Sequence, residues 1–233
     1  MLKLAIVAAL ERELSGLVKG SQRFERDYEA RNFVFFEQEE IVAVCGGIGV
    51  EPARRAAEAV IALYHPALLL SVGFAGALNT GLRIGDIFSP GVVIDARDGS
   101  RVQIAGGEGT LVTFMAVASA EQKANLAQSY AAQAVDMEAA AVAAAANAHG
   151  IRFLAVKVIS DEFNFTMPEM ARFIDAYGRF KSVSFALFVV LRPWLWRRVA
   201  LLASNSGKAA RMLGEHLKGS RQALSEAVEA KTI

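Results

Sequence analysis

Two short stretches decide the fold of this chain: Val135-Asp136-Met137-Glu138-Ala139-Ala140 and Val156-Lys157-Val158-Ile159-Ser160-Asp161. The first predicts the start of an Ala-rich helix with a Met-Glu pair in its first turn. The second is an apolar run that predicts a buried strand with a Ser-Asp pair at its end. Two carboxylates on neighbouring elements of an α/β protein can hold one small ligand from two sides.

Strands and helices alternate along the chain on both sides of these stretches. Helical spacing predicts a helix over residues 51–64, and Ser119 predicts the cap of another. Residues 136–149 predict a third helix, which Gly150 closes. The alternation predicts an α/β sandwich with a mostly parallel sheet. Apolar runs predict strands at residues 4–10, 32–38, 40–45, 67–72, 88–94, 110–117 and 153–159.

Composition and charge narrow the class of protein. The chain has 233 residues, of which 54% are hydrophobic, so a large core can form. With 25 basic and 24 acidic side chains, no basic field for a nucleic acid is expected. The lone Cys45 cannot form an internal disulfide, and residues 1–10 do not resemble a secretory signal. We therefore expect a cytoplasmic protein.

The chain shows no internal repeat and no linker, which predicts one domain over residues 1–233 with a divergent helical tail from about residue 182. Within the tail, the apolar run 185–191 is too short to span a membrane. Two Trp and three Arg at residues 192–198 are typical of a membrane interface, so residues 185–198 are a candidate peripheral contact. The alternative is a core helix followed by a surface loop.

Polar or Gly-rich segments follow several predicted strands, at residues 11–13, 46–49, 73–76 and 160–161. Ligands of α/β sheets bind beyond the carboxyl ends of the strands, so these segments should converge on one rim. A carboxyl group at Asp161 could donate a proton there. Each acidic side chain also has an ordinary explanation: Asp161 as a loop cap, Glu138 as dipole compensation, and Glu13 as a solvated charge at a helix start. Met137 alone would be core filler.

Other chemistries find little support in the sequence. The segment Gly47-Ile48-Gly49-Val50-Glu51-Pro52 has Pro where a dinucleotide-binding fingerprint needs its third Gly, and it does not follow the first strand. A Rossmann oxidoreductase is therefore an outside alternative. No Cys/His spacing indicates a metal site.

Taken in order, the motifs resemble the superfamily of nucleoside phosphorylases and methylthioadenosine/adenosylhomocysteine nucleosidases. The resemblance covers about residues 1–161 and implies a three-layer α/β/α sandwich with a mostly parallel central mixed sheet. It also implies a homodimer that needs no metal or organic cofactor, with phosphate as an alternative co-substrate. The matching segments are Ala8 to Leu14, Gly47 to Gly49, Ser71 to Leu78, Leu82 to Ile87, Val135 to Ala139 and Val158 to Asp161.

The resemblance implies cleavage of the N-glycosidic bond of a purine nucleoside by water, with adenine as the base and a bulky 5′ group. Asp161 would protonate the base at N7, and Glu13 would activate the water. Glu138 would bind the ribose hydroxyls, and Met137 would pack on the sugar. The remaining substrate contacts expected are Phe74, Ala75, Gly76, Val117, Lys157 and Ser160.

Departures from the family pattern leave alternatives open. Ser71 stands where six-subunit phosphorylases carry a phosphate-binding Arg, which favours water over phosphorolysis. Phe74 and Lys157 replace the nucleosidases' small hydroxyl residue and Arg, so a nucleoside-binding protein without activity is another alternative. The short segment 94–110 and the tail resemble the hopanoid-associated phosphorylases, which implies removal of adenine from an adenosyl-lipid.

Overall fold

The computed structural model describes residues 4–165 and 170–229, with side chains described as far as residue 220. The helices are α1 (Val50–Tyr64), α2 (Ala120–Tyr130), α3 (Ala139–Ala148), α4 (Ser182–Val190) and α5 (Pro193–Glu229). Short 3-10 turns lie at Glu11–Glu13 and Ala171–Phe173. The strands are β1 (Leu4–Ala8), β2 (Gln22–Tyr28), β3 (Arg31–Gln38), β4 (Ile41–Cys45), β5 (Leu68–Ala77), β6 (Ile87–Phe88), β7 (Val92–Asp95), β8 (Arg101–Gln103), β9 (Thr110–Thr113), β10 (Ala134–Asp136) and β11 (Arg152–Asp161).

These strands form one mixed sheet in the order β2-β3-β4-β1-β5-β10-β9-β7-β8. Strand β11 pairs with β5 and β6 off this path. The pairs β4-β1, β1-β5, β5-β11, β10-β9 and β9-β7 are parallel. Antiparallel pairs join β2-β3-β4, β5-β10, β6-β11 and β7-β8. The predicted α/β fold class is confirmed.

Alternation along β1 shows why the sheet is covered on both faces. Ala5 and Val7 belong to a core shared with α1 and α3, whereas Ile6 and Ala8 belong to a second core shared with α5. Because consecutive side chains of a strand point to opposite faces, a continuous apolar run demands a helical layer on each side. The three layers follow from such runs.

The site is built around strand β5, which pairs with other strands on both of its edges. On one edge, β1 pairs with Leu68–Ser71 and β10 pairs with Gly76 and Ala77. Residues 72–75 therefore face a gap between β1 and β10 on that edge. The other edge pairs with β11 from Leu68 to Gly76. This gap lies where β1, β5 and β11 end, which is where a ligand is expected.

Several element boundaries differ from the sequence prediction. Residues 73–77 belong to β5 itself, whereas we predicted that they follow a strand ending at residue 72. Residues 88–94 form two strands, separated at Pro90 and Gly91, because Pro has no N–H for a ladder. The strands β2 and β10 were not predicted. Since β10 ends at Asp136, α3 begins three residues later than expected and Glu138 is its N-cap.

The predicted start of α2 and the predicted end of α3 agree with the structure. Ser119 caps α2 through a capping box with Gln122, whose side chain accepts from the Ser119 amide. Gly150 has φ +65° directly after the His149 cap of α3, a conformation that Gly adopts without strain.

The tail consists of α4 and α5. Ala209, Leu213 and Leu217 of α5 are buried against the sheet, and a Cβ at Gly16 would lie 2.3 Å from the Gly214 Cα. Helix α4 contains no buried residue, so the interpretation of residues 185–198 as a core helix followed by a loop is wrong. In the part of the chain that the structure describes, no helix is long and apolar enough to cross a membrane.

Candidate active site

A cavity of about 280 Å³ opens at the gap beside β5. Two groups of residues line it. Those of β5, β10, β11 and the turn after β1 are called the carboxylate end here, and those of α4, α5 and the segment before them are called the apolar end. Among the residues predicted to form the site, those that line the cavity are Glu13, Phe74, Ala75, Gly76, Val117, Met137, Glu138, Ser160 and Asp161. Lys157 does not line it.

Glu13 lies in the 3-10 turn after β1, and its carboxylate lies at the gap beside β5. Its Oε2 accepts from the amides of Ala9 and Leu10, each at 2.9 Å, and Oε1 accepts from the Phe74 amide at 3.4 Å. Gly73 leaves room, because a Cβ there would lie 3.3 Å from this carboxylate. The residue is 3% exposed, so the interpretation of Glu13 as a solvated charge is wrong. Burial raises the Glu13 pKa, and the Leu10 amide opposes the rise.

Glu138 is held by the Gly-rich turn before α1. Its Oε1 accepts from the Gly49 amide at 2.8 Å, so the turn positions a carboxylate. Desolvation, followed by the charge of Asp136, raises the pKa of Glu138 to about 8. A raised pKa favours the protonated form of Glu138 at neutral pH.

Asp161 ends β11, where a register shift between Ile159 and Asp161 turns the side chain. It is 4% exposed. Its Oδ1 accepts from the Ser160 hydroxyl at 2.8 Å, and its Oδ2 accepts from the Lys123 ammonium. Gly76 makes space for this pair, since a Cβ there would lie 2.9 Å from Oδ2 of Asp161. Sequence reasoning missed Lys123, because nothing local distinguishes it from an exposed Lys on a polar helix.

Lys157 is buried and is not among the residues that line the cavity, so the structure does not support the prediction that it contacts the substrate. It is fully buried, and its Nζ donates to Asp136 Oδ2 at 2.9 Å and to Ser71 Oγ at 3.1 Å. Burial lowers the Lys157 pKa, but the charges of Asp136 and Glu138 offset this and raise it above its ordinary value. Asp136, which the sequence reasoning did not select, lines the cavity above this Lys.

Phe74 and Arg12 form one part of the cavity wall. The Arg12 guanidinium lies 5.0 Å from the centre of the Phe74 ring, a cation–π contact. Apart from Ser206, the residues of the apolar end are hydrophobic, and sequence reasoning identified only residues 185–198 among them. Its lining residues are Met170, Ile174, Phe180, Phe185, Val199, Leu202, Ala203 and Ser206.

Comparisons with known proteins agree with this architecture. Futalosine hydrolase of Helicobacter pylori superposes with a TM-score of 0.69 at 19% identity, over 93% of this chain and 96% of that one. A 5′-methylthioadenosine/S-adenosylhomocysteine nucleosidase from the same organism gives 0.66 at 21% identity, over 94% and 99%. A putative nucleosidase of that type from Francisella philomiragia gives 0.68 at 19% identity, over 94% and 98%.

At these identities the superpositions establish the fold. A search of curated protein sequences found no match. The model of one enzyme family, described as the phosphorylase superfamily, matches residues 3–109 and 107–189. Since these ranges cover most of the 233 residues, the chain belongs to the phosphorylase superfamily.

Proposed function

We propose that this protein hydrolyses the N-glycosidic bond of a purine nucleoside, with adenine as the base and an apolar 5′ substituent. The observation that carries the proposal is the division of one cavity into a carboxylate end and an apolar end. Glu13, Glu138 and Asp161 lie at the first end, where bond cleavage needs an acid, a base and a sugar-binding group. The apolar end suits a 5′ group without charge.

The reaction breaks the bond between C1′ and a base nitrogen. Positive charge develops on the sugar and negative charge on the leaving base. Asp161 delivers a proton to N7 of the purine, which makes the base a better leaving group. Glu13 orients water at C1′ and accepts its proton. The raised pKa of Glu13 strengthens it as a proton acceptor.

Sugar recognition falls to Glu138 and Met137, which lie beside each other on the cavity wall. A carboxylate at Glu138 accepts hydrogen bonds from ribose hydroxyls, and the thioether of Met137 packs on the sugar face. One similar structure, the Helicobacter pylori nucleosidase, was solved with butyl-thio-DADMe-Immucillin-A. This supports a nucleoside-like ligand for the present cavity.

Water is the proposed acceptor, with phosphate as the alternative. Ser71, at the position of the phosphorylase Arg, is buried and accepts from Lys157, away from the cavity. Among the described residues that line the cavity, the cations are Arg12 and Lys123, and Lys123 is paired with Asp161. This arrangement offers phosphate little fixed positive charge. No metal or organic cofactor enters the proposal.

The deciding experiment incubates the protein with adenosine, methylthioadenosine and adenosylhomocysteine, with and without phosphate. Free base and free sugar without phosphate support hydrolysis. Formation of ribose-1-phosphate would replace it with phosphorolysis. Binding without release of base would favour a nucleoside-binding protein, the alternative that Phe74 and Lys157 raise.

A lipid-borne adenosine is a second candidate substrate, favoured by the surface of α4 and α5. Leu191, which follows α4, and Trp194 and Trp196 of α5 are 74%, 72% and 55% exposed. Phe185 of α4 and Val199 of α5 line the cavity. An apolar 5′ chain could therefore pass from the cavity to a membrane surface, as an adenosyl-hopanoid would require. If lipid does not cover this surface, the partner subunit of a homodimer is the alternative.

A further inference from the structure

The proposed reaction leaves one buried cation of the cavity without a role. Lys123 lies in the first turn of α2, which the Ser119–Gln122 capping box fixes. It is 2% exposed, and its Nζ donates to Asp161 and to the Glu162 carbonyl oxygen at 2.8 Å. Arg12, the other cation among the described lining residues, is exposed. Lys123 thus sets the charge at the Asp161 end of the cavity.

The hydrogen bonds of Asp161 bear on the source of the proton that the leaving base receives. Ser160 donates to Oδ1 and Lys123 donates to Oδ2, so both oxygens act as acceptors. Asp161 forms the anionic half of a buried ion pair with Lys123, and in that form it has no proton of its own to give. The protons nearest to its oxygens are those of the Ser160 hydroxyl and the Lys123 ammonium, and an ammonium is by far the stronger acid of the two.

We propose that Lys123 supplies the proton that Asp161 delivers, so that the two side chains act as one unit at N7 of the purine. The inference rests on the proposed function and assigns the source of its proton. As the C1′–N bond breaks, its electron pair goes to the base. A proton then passes from Lys123 to Asp161 and from Asp161 to N7. Water bonded to C1′ loses a proton to Glu13, which releases it to solvent, and Lys123 regains one from solvent.

Electrostatics supports this assignment over a purely structural ion pair. A buried ion pair is weak support for stability, because desolvation of both charges opposes their attraction. A buried ammonium beside a departing anion, in contrast, stabilises the charge that develops in the transition state. Gly76 reinforces the arrangement, since any side chain there would displace Lys123 and Asp161 together. Lys123 acts through Asp161 and is therefore a positioning residue.

A binding experiment tests the unit without turnover. Affinities for adenine and 7-deazaadenine, which has C–H in place of N7, are measured by calorimetry. In the native protein adenine should bind at least about 10-fold more tightly, because the unit donates to N7. In Lys123→Met the ratio should fall below about 3-fold, and Lys123→Arg should retain part of it. The exposed Lys208→Met is the matched control. A ratio that Lys123→Met leaves unchanged would overturn the proposal.

Kinetics on the substrate supplies the second test. Lys123→Met and Asp161→Asn should each lower kcat at least about 100-fold with KM changed less than about 3-fold. The double variant should be no slower than Asp161→Asn, because both changes interrupt one proton route. Losses that multiply would show two independent roles and contradict the unit.

If Lys123→Met does not fold, the comparison is made with Lys123→Arg and with the double variant, which is uncharged at both positions. A native protein that releases no base from any nucleoside contradicts the proposed function. In that case the ratio of the affinities for adenine and 7-deazaadenine still tests the role of Lys123. An active native protein with a fully active Lys123→Met contradicts only the role of Lys123.

Discussion

The two ends of the cavity are built in different ways. At the carboxylate end, Glu13 and Glu138 accept from backbone amides, and Asp136 and Asp161 each pair with a buried Lys. These groups stand on or next to strands of one sheet. The apolar end is formed by side chains of α4, α5 and residues 170–180, which make contacts without direction. The sheet therefore fixes the positions of the carboxylates, whereas the tail sets the shape and polarity of the rest of the cavity.

The largest effect is expected at Lys157, whose ion pair with Asp136 supports the carboxylate end. Lys157→Met leaves Asp136 buried without its cation, which should lower the free energy of unfolding by about 3–5 kcal/mol. Urea unfolding followed by circular dichroism measures this loss. Lys208→Met on the surface of α5 is the control and should change stability by less than about 0.5 kcal/mol. Equal stabilities would mean that the carboxylate end does not depend on its buried network.

Asp161→Asn comes next, with base release as the measurement. The amide keeps the shape of the side chain but cannot pass a proton to N7, so we expect a loss of at least about 100-fold, or about 2.7 kcal/mol. Binding of an unreactive nucleoside analogue should be largely retained. Turnover close to that of the native protein would remove Asp161 from the mechanism.

The same contrast explains what the sequence could reveal. Glu13 and Asp161 follow predicted strands, so strand assignment alone placed them near one rim. Glu138 was assigned to the site by the family resemblance, because the strand before it was not predicted. Lys123 pairs with a residue 38 positions away, and such a contact leaves no local pattern. Lys157 was expected at the substrate because it stands where the resemblance places an Arg. Its partner Asp136 ends a strand of three residues, which is too short to show periodicity.

The apolar end was harder to predict for a physical reason. Its members come from separate elements that meet only when α5 packs on the sheet through Ala209 and Leu213. An apolar run such as residues 185–191 is compatible with a buried helix and with an exposed one. The structure decides between them, because no residue of α4 is buried.

Glu138→Gln probes sugar recognition at the carboxylate end with an intermediate effect. Hydrogen bonds from hydroxyls to a carboxylate contribute about 1.5–3 kcal/mol, so kcat/KM for a ribonucleoside should fall about 10- to 150-fold. The 2′-deoxy substrate, which lacks one hydroxyl, should lose less. If ribo and deoxy substrates respond equally in both proteins, Glu138 does not bind the sugar hydroxyls.

The pH dependence of stability, measured without ligand, tests the pKa of Glu138. The Glu138 pKa is raised from 4.5 to about 8, so the folded state binds more protons than the unfolded state between these values. The contribution of Glu138 is fully present below pH 4.5 and is lost as the pH rises through 8. Relative to Glu138→Gln, the native protein should therefore lose unfolding free energy between pH 5 and pH 8. A difference that stays constant or grows would contradict the raised pKa.

The smallest effect is expected at the outer surface of the apolar end. If residues 185–198 lie on a membrane, Trp194 and Trp196 enter the headgroup zone and each Arg adds about 1 kcal/mol of attraction to anionic lipid. Binding should be weak, reversible and stronger at low salt. Co-sedimentation with anionic liposomes at low and physiological salt measures it, together with Trp emission.

Arginine variants make the lipid test specific to this surface. Arg197→Gln with Arg198→Gln removes two exposed charges beside the Trp residues, and should weaken liposome binding about 10- to 30-fold at low salt. Arg101→Gln with Arg152→Gln removes two exposed charges on the sheet instead and is the matched control. Equal weakening by both pairs would indicate attraction by net charge alone. A native protein that stays in the supernatant at both salts, with unchanged Trp emission, would assign the apolar end to a freely diffusing nucleoside.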